Sequence, residues 1–209
     1  MVIIGAKGHA IEILDILSDN NFSGSISFFD NSSKTFEIPS LNKFKIIRDT
    51  EALRTHFLHT KNFILGIGNS FARQKMATFC EELGGELTTI ISRSAFISAN
   101  NVILKSGLNI MHRVIIHGEV SIGEGSLINT GAQIHHESKI GNFCEICPGA
   151  IITGNVTIGN YTMVGSGAII LPGIFIGDNV KIGAGTVVIK NVESNSTVVG
   201  NPGKVKENL

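Results

Sequence analysis

The hydrophobic rhythm of the chain changes about half-way along. Over residues 1 to 90, short aliphatic runs alternate with stretches whose apolar residues recur at helical spacing. Val2-Ile3-Ile4 predicts a first strand, closed by Gly5-Ala6-Lys7-Gly8. A helix follows from His9 to Asp19, with Ile13, Leu14, Ile16 and Leu17 as its apolar positions. Ser25 to Phe29 predicts a second strand ending at Asp30-Asn31. Asn62 to Ile67 predicts a third, followed by Gly68-Asn69 and a helix from Ser70 to about Leu83. Such alternation predicts a small parallel sheet with covering helices, an α/β Rossmann-like domain over residues 1–90. Ligands of such sheets bind beyond the carboxyl ends of the strands. That rule gathers Gly5 to His9, Asp30-Asn31 and Gly68-Asn69 along one edge.

From residue 102 the period becomes six. Every sixth residue from Leu104 is aliphatic: Ile110, Ile116, Ile122, Ile128, Ile134, Ile140, Ile146, Ile152, Ile158, Val164, Ile170, Ile176, Ile182 and Val188 follow without a break. Two residues before many of them stands a small or aliphatic residue, such as Val120, Ser126, Ala132, Ser138, Cys144, Ala150 or Thr162. Gly or Asn often follows directly, as at Gly123, Asn129, Gly141, Gly159, Gly165, Gly177 and Gly183. A hexapeptide repeat of this kind predicts a β-helix in which each repeat supplies one flat side and three sides make a coil of about 18 residues. Such repeats resemble the left-handed parallel β-helix, an exception to right-handed crossover. The expected second domain is therefore a left-handed β-helix over residues 91–209.

Composition narrows the function classes. Aromatic residues are only 6% of the chain, with no Trp and one Tyr, so the 43% hydrophobic content is mostly the aliphatic kind that suits β structure. Lys plus Arg equals Asp plus Glu at 17 each, which favours neither a nucleic-acid nor an anionic-membrane partner. Three cysteines, an odd number, fit a reducing cytosol better than a disulfide framework. No signal-like start or long apolar run is present, so a soluble cytoplasmic protein is expected.

One stretch of the helix, "QIHHESKIGNFCEICPG" at 133–149, crowds titratable groups into the aliphatic repeat. His136 followed by Glu137 has the make-up of a general base with a carboxylate helper. An imidazole takes a proton near neutral pH, and a carboxylate on its other nitrogen sets the tautomer. Neighbours on a strand face opposite ways, so the pair works only if the chain turns just after the inward Ile134. Cys144 and Cys147 form a lone C-x-x-C whose register predicts packing. His135 stands one coil beyond His117, and His112 lies five residues before that. This pattern also occurs in the γ-class carbonic anhydrases, so a zinc enzyme stays open beside a polar lining of a subunit interface. In the first domain, backbone N–H groups of Gly5-Ala6-Lys7-Gly8-His9 are placed to receive a phosphate, and Asp30 to accept from a ribose hydroxyl or a base N–H. A dinucleotide redox cofactor is the competing use of that loop.

Four segments carry a resemblance spanning nearly the full chain: "VIIGAKGHA", "FILGIGNSFAR", "IHHESKIGNFCEICPGAIITGNVTIG" and "GAGTVVIKNVESNSTVVGNPGKV". They resemble the bacterial sugar O- and N-acetyltransferases of the sialic acid O-acetyltransferase (NeuD/PglD-like) type, a branch of the hexapeptide acyltransferases. The branch includes UDP-4-amino-sugar and GDP-perosamine N-acetyltransferases. The resemblance implies an acetyl-CoA-dependent sugar N-acetyltransferase, with acetyl-CoA as co-substrate and no metal. It implies a homotrimer with active sites between subunits, acting on a UDP-, GDP- or dTDP-linked amino sugar. His136 becomes the base and Glu137 its helper. Gly5, Lys7, Gly8, His9, Asp30, Asn31 and Asn69 would bind the nucleotide sugar, with Arg73 completing a G-N-x-x-x-R segment. Glu145, Gly154, Ser166 and Ala184 take the acetyl-CoA positions, the Gly154 N–H facing the thioester oxyanion. Lys190, Lys204 and Lys206 are placed for the adenosine phosphates. Glu145 departs from the family, which often carries a histidine there. An O-acetyltransferase acting on sialic acid is the main alternative, and a non-catalytic binding protein is a further one.

Overall fold

The structure is a computed structural model and describes residues 1–32 and 39–206. The first domain is a parallel sheet of five strands in the order β3-β2-β1-β4-β5: β1 (Val2–Ile4), β2 (Ser27–Phe29), β3 (Lys45–Ile47), β4 (Asn62–Leu65) and β5 (Glu86–Leu87). Helices α1 (Gly8–Asp19), α2 (Thr50–Phe57) and α3 (Ser70–Glu82) make the crossovers. The second and third predicted strands are shorter than expected, and β3, α2 and β5 are additions. The sheet needs β1 and β4 to pass very close at their carboxyl ends. Gly5 has φ +102°, and a Cβ there would lie 2.9 Å from the Gly66 carbonyl oxygen. Only glycine satisfies both demands.

The second domain is the left-handed parallel β-helix. Its first face stacks the rungs Ile90–Ile91, Asn109–Ile110, Leu127–Ile128, Glu145–Ile146, Met163–Val164 and Lys181–Ile182, closed by Thr197–Val199. The second face runs from Phe96–Ile97 through Ile115–Ile116, Gln133–Ile134, Ile151–Ile152 and Ile169–Ile170 to Val187–Val188. The third runs from Ile103–Leu104 to Phe175–Ile176. In the central coils the second residue of each rung points inward and is buried. Each such isoleucine contributes roughly 1.5–3 kcal/mol by leaving water, so the stack carries most of this domain's stability. Two rungs precede the repeat read from the sequence. A seven-residue step from Ile97 to Leu104 hides them from a strict period of six.

The small position at each corner is fully enclosed, and its polar atoms are used. Ser126 Oγ donates to the Gly141 carbonyl at 2.9 Å and accepts from the Cys144 N–H at 2.9 Å. Thr162 Oγ1 repeats this two coils on, donating to Gly177 O at 2.8 Å and accepting from Val180 N–H at 3.0 Å. Cys144 fills the same site between them and donates to Gly159 O at 3.0 Å.

The α/β domain sits on the first face. Asn109, buried, donates to the Leu65 carbonyl at 2.8 Å. Asn20 donates to Ile91 O at 2.8 Å, and Phe71 stacks on Tyr161 with ring centres 5.1 Å apart. Arg73 is the central clamp. Its guanidinium is buried and donates to the carbonyls of Gly125 (3.0 Å), Phe143 (3.1 Å), Cys144 (2.7 Å) and its own domain's Gly68. Burial lowers its pKa to about 10, which leaves it charged at neutral pH.

Candidate active site

Each coil turns its corner on one residue in the left-handed region. Between the second and third faces that residue is Glu119, Glu137, Asn155 and then Gly173 in successive coils. Glu137, with φ +61°, therefore swings back beside the residue before it. His136 Nδ1 and Glu137 Oε2 are 2.9 Å apart. An ionised carboxylate only accepts, so the proton sits on Nδ1 and Nε2 keeps its lone pair free to take another. The strand alternation that would have separated these two residues is broken at the turn.

Gly154, one coil further on, lies against the imidazole. A Cβ there would fall 2.5 Å from His136 Cε1 and 2.6 Å from Nε2. The glycine thus leaves the room in which the ring rests, while Asn155 N–H donates to the His136 carbonyl at 2.8 Å and ties the coils together. Among the described residues the Gly154 N–H has no acceptor, so it is left as an available donor in the residue that packs against the ring. A base with an oxyanion donor beside it fits acyl transfer.

The His135 ring has a different neighbour. It stacks on His117 with centres 4.8 Å apart, and Phe96 packs edge-on to His117 at 6.3 Å. Burial, then His117 and His136, push the His135 pKa below its ordinary value. His112 lies at the opposite edge of the second face, hydrogen-bonded to Ser92 Oγ at 2.7 Å. The three histidines of the zinc alternative are therefore split between two edges of one chain. Among the described residues no group of three or more His, Cys, Asp or Glu is arranged to hold a metal.

The first domain carries a cavity of about 280 Å³ at the carboxyl ends of β1, β2 and β4. Gly5, Lys7, His9, Asp30 and Asn31 line it, together with Gly66, Ile67 and Gly68. It opens at the side of β1 where the strand order reverses, the usual place for a ligand in such sheets. Gly8 and Asn69 lie outside the lining. Gly8 begins α1, whose cap residue Lys7 makes no side-chain cap, and Asn69 caps α3 by accepting from Ala72 N–H at 3.0 Å. Asp30 spends one oxygen on the Ser32 N–H at 2.9 Å. His9 is held from both sides: Nδ1 is 2.9 Å from Glu12 Oε2 and Nε2 is 3.0 Å from Asn109 Nδ2. Since Asn109 Nδ2 also donates to Leu65 O, its amide orientation is set and His9 Nε2 accepts. The hydrogen bond from His9 in turn holds the Glu12 carboxyl below its usual pKa. Glu12 and Asn109 were not picked out from the sequence. Glu12 had a legible signal, three residues from His9 on a predicted helix; Asn109 had none.

The acetyl-CoA positions divide between places. Gly154 stands beside His136 at the edge between the second and third faces. Ser166 and Ala184 stack on the edge between the first and second faces, where Gly185 N–H donates to Ser166 O at 2.9 Å. Glu145 is on the first face, beneath the α/β domain, where a Cβ on Gly68 would be 3.8 Å from Oε1. Cys147 beside it is half-buried and outward rather than in the core, and burial together with Glu145 pushes its thiol up to about 12. One chain thus carries a pocket on its first face and a base at its far edge, and does not bring them together.

Comparison with known proteins agrees with this build. Residues 1–79 match the PglD N-terminal domain family, and residues 119–154, 137–172 and 155–190 match the bacterial transferase hexapeptide family (six repeats). The chain is NeuD/PglD-like. A histidine variant of perosamine N-acetyltransferase from Caulobacter crescentus, in complex with CoA and GDP-perosamine, is 28% identical over 99% of this chain and 96% of its own, with a TM-score of 0.90. The acetyltransferase domain of PglB from Neisseria gonorrhoeae, in complex with acetyl coenzyme A, is 26% identical over 98% of both chains, with a TM-score of 0.88. WeeI from Acinetobacter baumannii, at 24% identity and a TM-score of 0.80, shares the fold.

Proposed function

We propose that this NeuD/PglD-like protein transfers the acetyl group of acetyl-CoA to the amino group of a nucleotide-linked amino sugar, for bacterial glycan synthesis. The observation that carries this is the His136–Glu137 pair at 2.9 Å with Gly154 against the ring, in a chain similar over 99% of its length to perosamine N-acetyltransferase. The α/β cavity takes the nucleotide sugar, with the turn at Gly5 to His9 offering N–H groups to its phosphates and Asp30 an acceptor for ribose or base. His136 Nε2 removes a proton from the acceptor amine as its lone pair attacks the thioester carbonyl. Glu137 stabilises the imidazolium, the Gly154 N–H receives the oxyanion, and the proton then leaves with coenzyme A as its thiol. No acyl-enzyme is formed.

The protein is proposed to act as a homotrimer. The second face presents exposed Phe96, Leu171 and Ile189 along with half-exposed Ile115, Ile151 and Ile169. An apolar face of this extent suits a second copy. In such an assembly the partner subunit's His136 would complete a site with the pocket of the neighbouring copy, with Ser166 and Ala184 along the acetyl-CoA groove. The three cysteines are free thiols, and no described helix is long and apolar enough to cross a membrane. A cytoplasmic site, where acetyl-CoA and nucleotide sugars occur, is the location proposed.

Thiol release from acetyl-CoA with UDP-, GDP- and dTDP-linked amino sugars tests this. Wild type is expected to turn over one of them, and His136→Ala to lose roughly 10²–10⁴-fold in kcat. Near-full activity in His136→Ala with loss in His135→Ala would overturn the choice of base. Mixed assembly of His136→Ala and Lys7→Glu chains is expected to regain part of the activity, and no recovery would place the site within one chain.

A further inference from the structure

Glu145 is the one carboxylate on the outer side of the central first-face rungs. Above it, at the same position of successive coils, Asn109 and Leu127 are buried under the α/β domain; below it, Met163 is half-exposed and Lys181 exposed. Glu145 therefore stands at the rim where the cover ends, half-buried. A Cβ built on Gly68, which lines the cavity, would lie 3.8 Å from its Oε1, so the carboxylate stands just behind that wall, within the electrostatic reach of His9, which lines the cavity too.

The charged and titratable groups around it leave it without a full counter-charge. From α3 comes Arg73, whose guanidinium is committed to four backbone carbonyls and makes no ion pair with Glu145. From α1 comes His9, already bonded on both ring nitrogens. From its own strand come Cys144, turned into the core, and Cys147, its thiol hydrogen-bond partner. Burial pushes the Glu145 carboxyl above its usual pKa, and Arg73 and His9 pull it back. A carboxylate so placed at a ligand cavity gains most from a cation that the ligand brings.

We propose that Glu145 determines the acceptor class, choosing an amino group over a hydroxyl by receiving the amine in its ammonium form beside the sugar end of the cavity. This rests on the acetyltransferase function above. The ammonium gives one N–H proton to the Glu145 carboxylate and becomes a neutral amine. The amine lone pair forms the new C–N bond while the partner subunit's His136 takes a second proton. The C–S bond breaks, and that proton leaves on the coenzyme A thiol. Glu145 returns its proton to water, so each turn releases one proton with one amide. A hydroxyl brings no charge to offset the half-buried carboxylate and has only one proton to lose, which His136 already accepts.

The test uses GDP-perosamine beside the GDP-6-deoxymannose that carries a hydroxyl in place of the amine, and the matching uridine-linked pair. Wild type, Glu145→Gln and Glu145→Asp are compared by thiol release and by calorimetric binding of each sugar nucleotide. Glu145→Gln is expected to weaken binding of the amino sugar and raise its KM by roughly ten- to hundredfold. The KM for acetyl-CoA and binding of the hydroxyl sugar are expected to stay within about twofold, with Glu145→Asp recovering part of the loss. Equal loss for amino and hydroxyl sugars, a loss confined to acetyl-CoA, or no change would overturn the proposal. Absence of thiol release by wild type with every sugar would instead refute the acetyltransferase function, and the binding arm still reads Glu145 by the amino-minus-hydroxyl difference.

Discussion

The two domains of this protein place their chemistry in opposite ways. The β-helix is monotonous: its inward isoleucines and valines repeat every six residues, and each rung pairs in parallel with the next coil. Its candidate base sits at one of its regular left-handed corners, where Glu137 turns back onto His136 and only the side chains depart from the repeat. The α/β domain has no repeat. Its cavity lies beyond the carboxyl ends of three strands, and it is shaped by single close approaches such as Gly5 against Gly66. In a regular scaffold a function shows as an exception to the pattern; in an irregular one it follows from topology.

The joint between the two regions is the most sensitive place to break this comparison. Replacing Arg73 by Met removes donors from four carbonyls at once, three of them buried in the joint. A loss of about 3–5 kcal/mol is expected in urea unfolding, since several buried carbonyls lose their charged donor and are left unsatisfied, at roughly 1–3 kcal/mol each. An Arg73→Met protein of near-wild-type stability would show that the domains are held by apolar contacts such as Phe71 on Tyr161. The corner comes next. Gly154→Ala puts a methyl within 2.6 Å of the His136 Nε2, so the ring must move. Its kcat is expected to fall roughly ten- to hundredfold, the cost of a misplaced catalytic group, with little change in melting temperature. Unaltered turnover would mean that the ring sits elsewhere during catalysis.

The smallest effect concerns the stacked pair on the second face. The His135 pKa is below its usual 6.5 in the folded chain. Below about pH 6.5 the unfolded chain takes up more protons at this site than the folded one. Stability from this group is therefore complete above that pH and declines as pH falls toward the folded value. His135→Asn is expected to flatten the acid side of a melting-temperature profile below about pH 6.5. An unchanged slope would assign the acid sensitivity to other groups.

Parts of this architecture were legible in the residues because local spacing decides them. The repeat of fifteen aliphatic positions announces the helix, and Val2-Ile3-Ile4 before Gly5 announces β1. The first two rungs escaped because one extra residue between Ile97 and Leu104 breaks the count without breaking the stack. Helix α2 escaped although it carries a readable start, Asp49 accepting from Ala52 N–H at 2.8 Å. Arg73 stands in a recognisable Asn-x-x-x-Arg spacing, yet nothing in that spacing says that its charge is buried against another domain.

By itself, the sequence determined the two periods, the parallel sheet edge that gathers Gly5, His9 and Asp30, and the nomination of His136 with Glu137. These follow from interactions within a few residues or from a strict repeat. Only the tertiary structure decided that Gly154 packs against the imidazole, that Asn109 and Glu12 hold His9, and that Glu145 lies behind Gly68 under the α/β domain rather than with Ser166 and Ala184. Those partners come from other coils or from the other domain. Their meeting depends on stacking register and domain docking, which no local pattern of residues encodes.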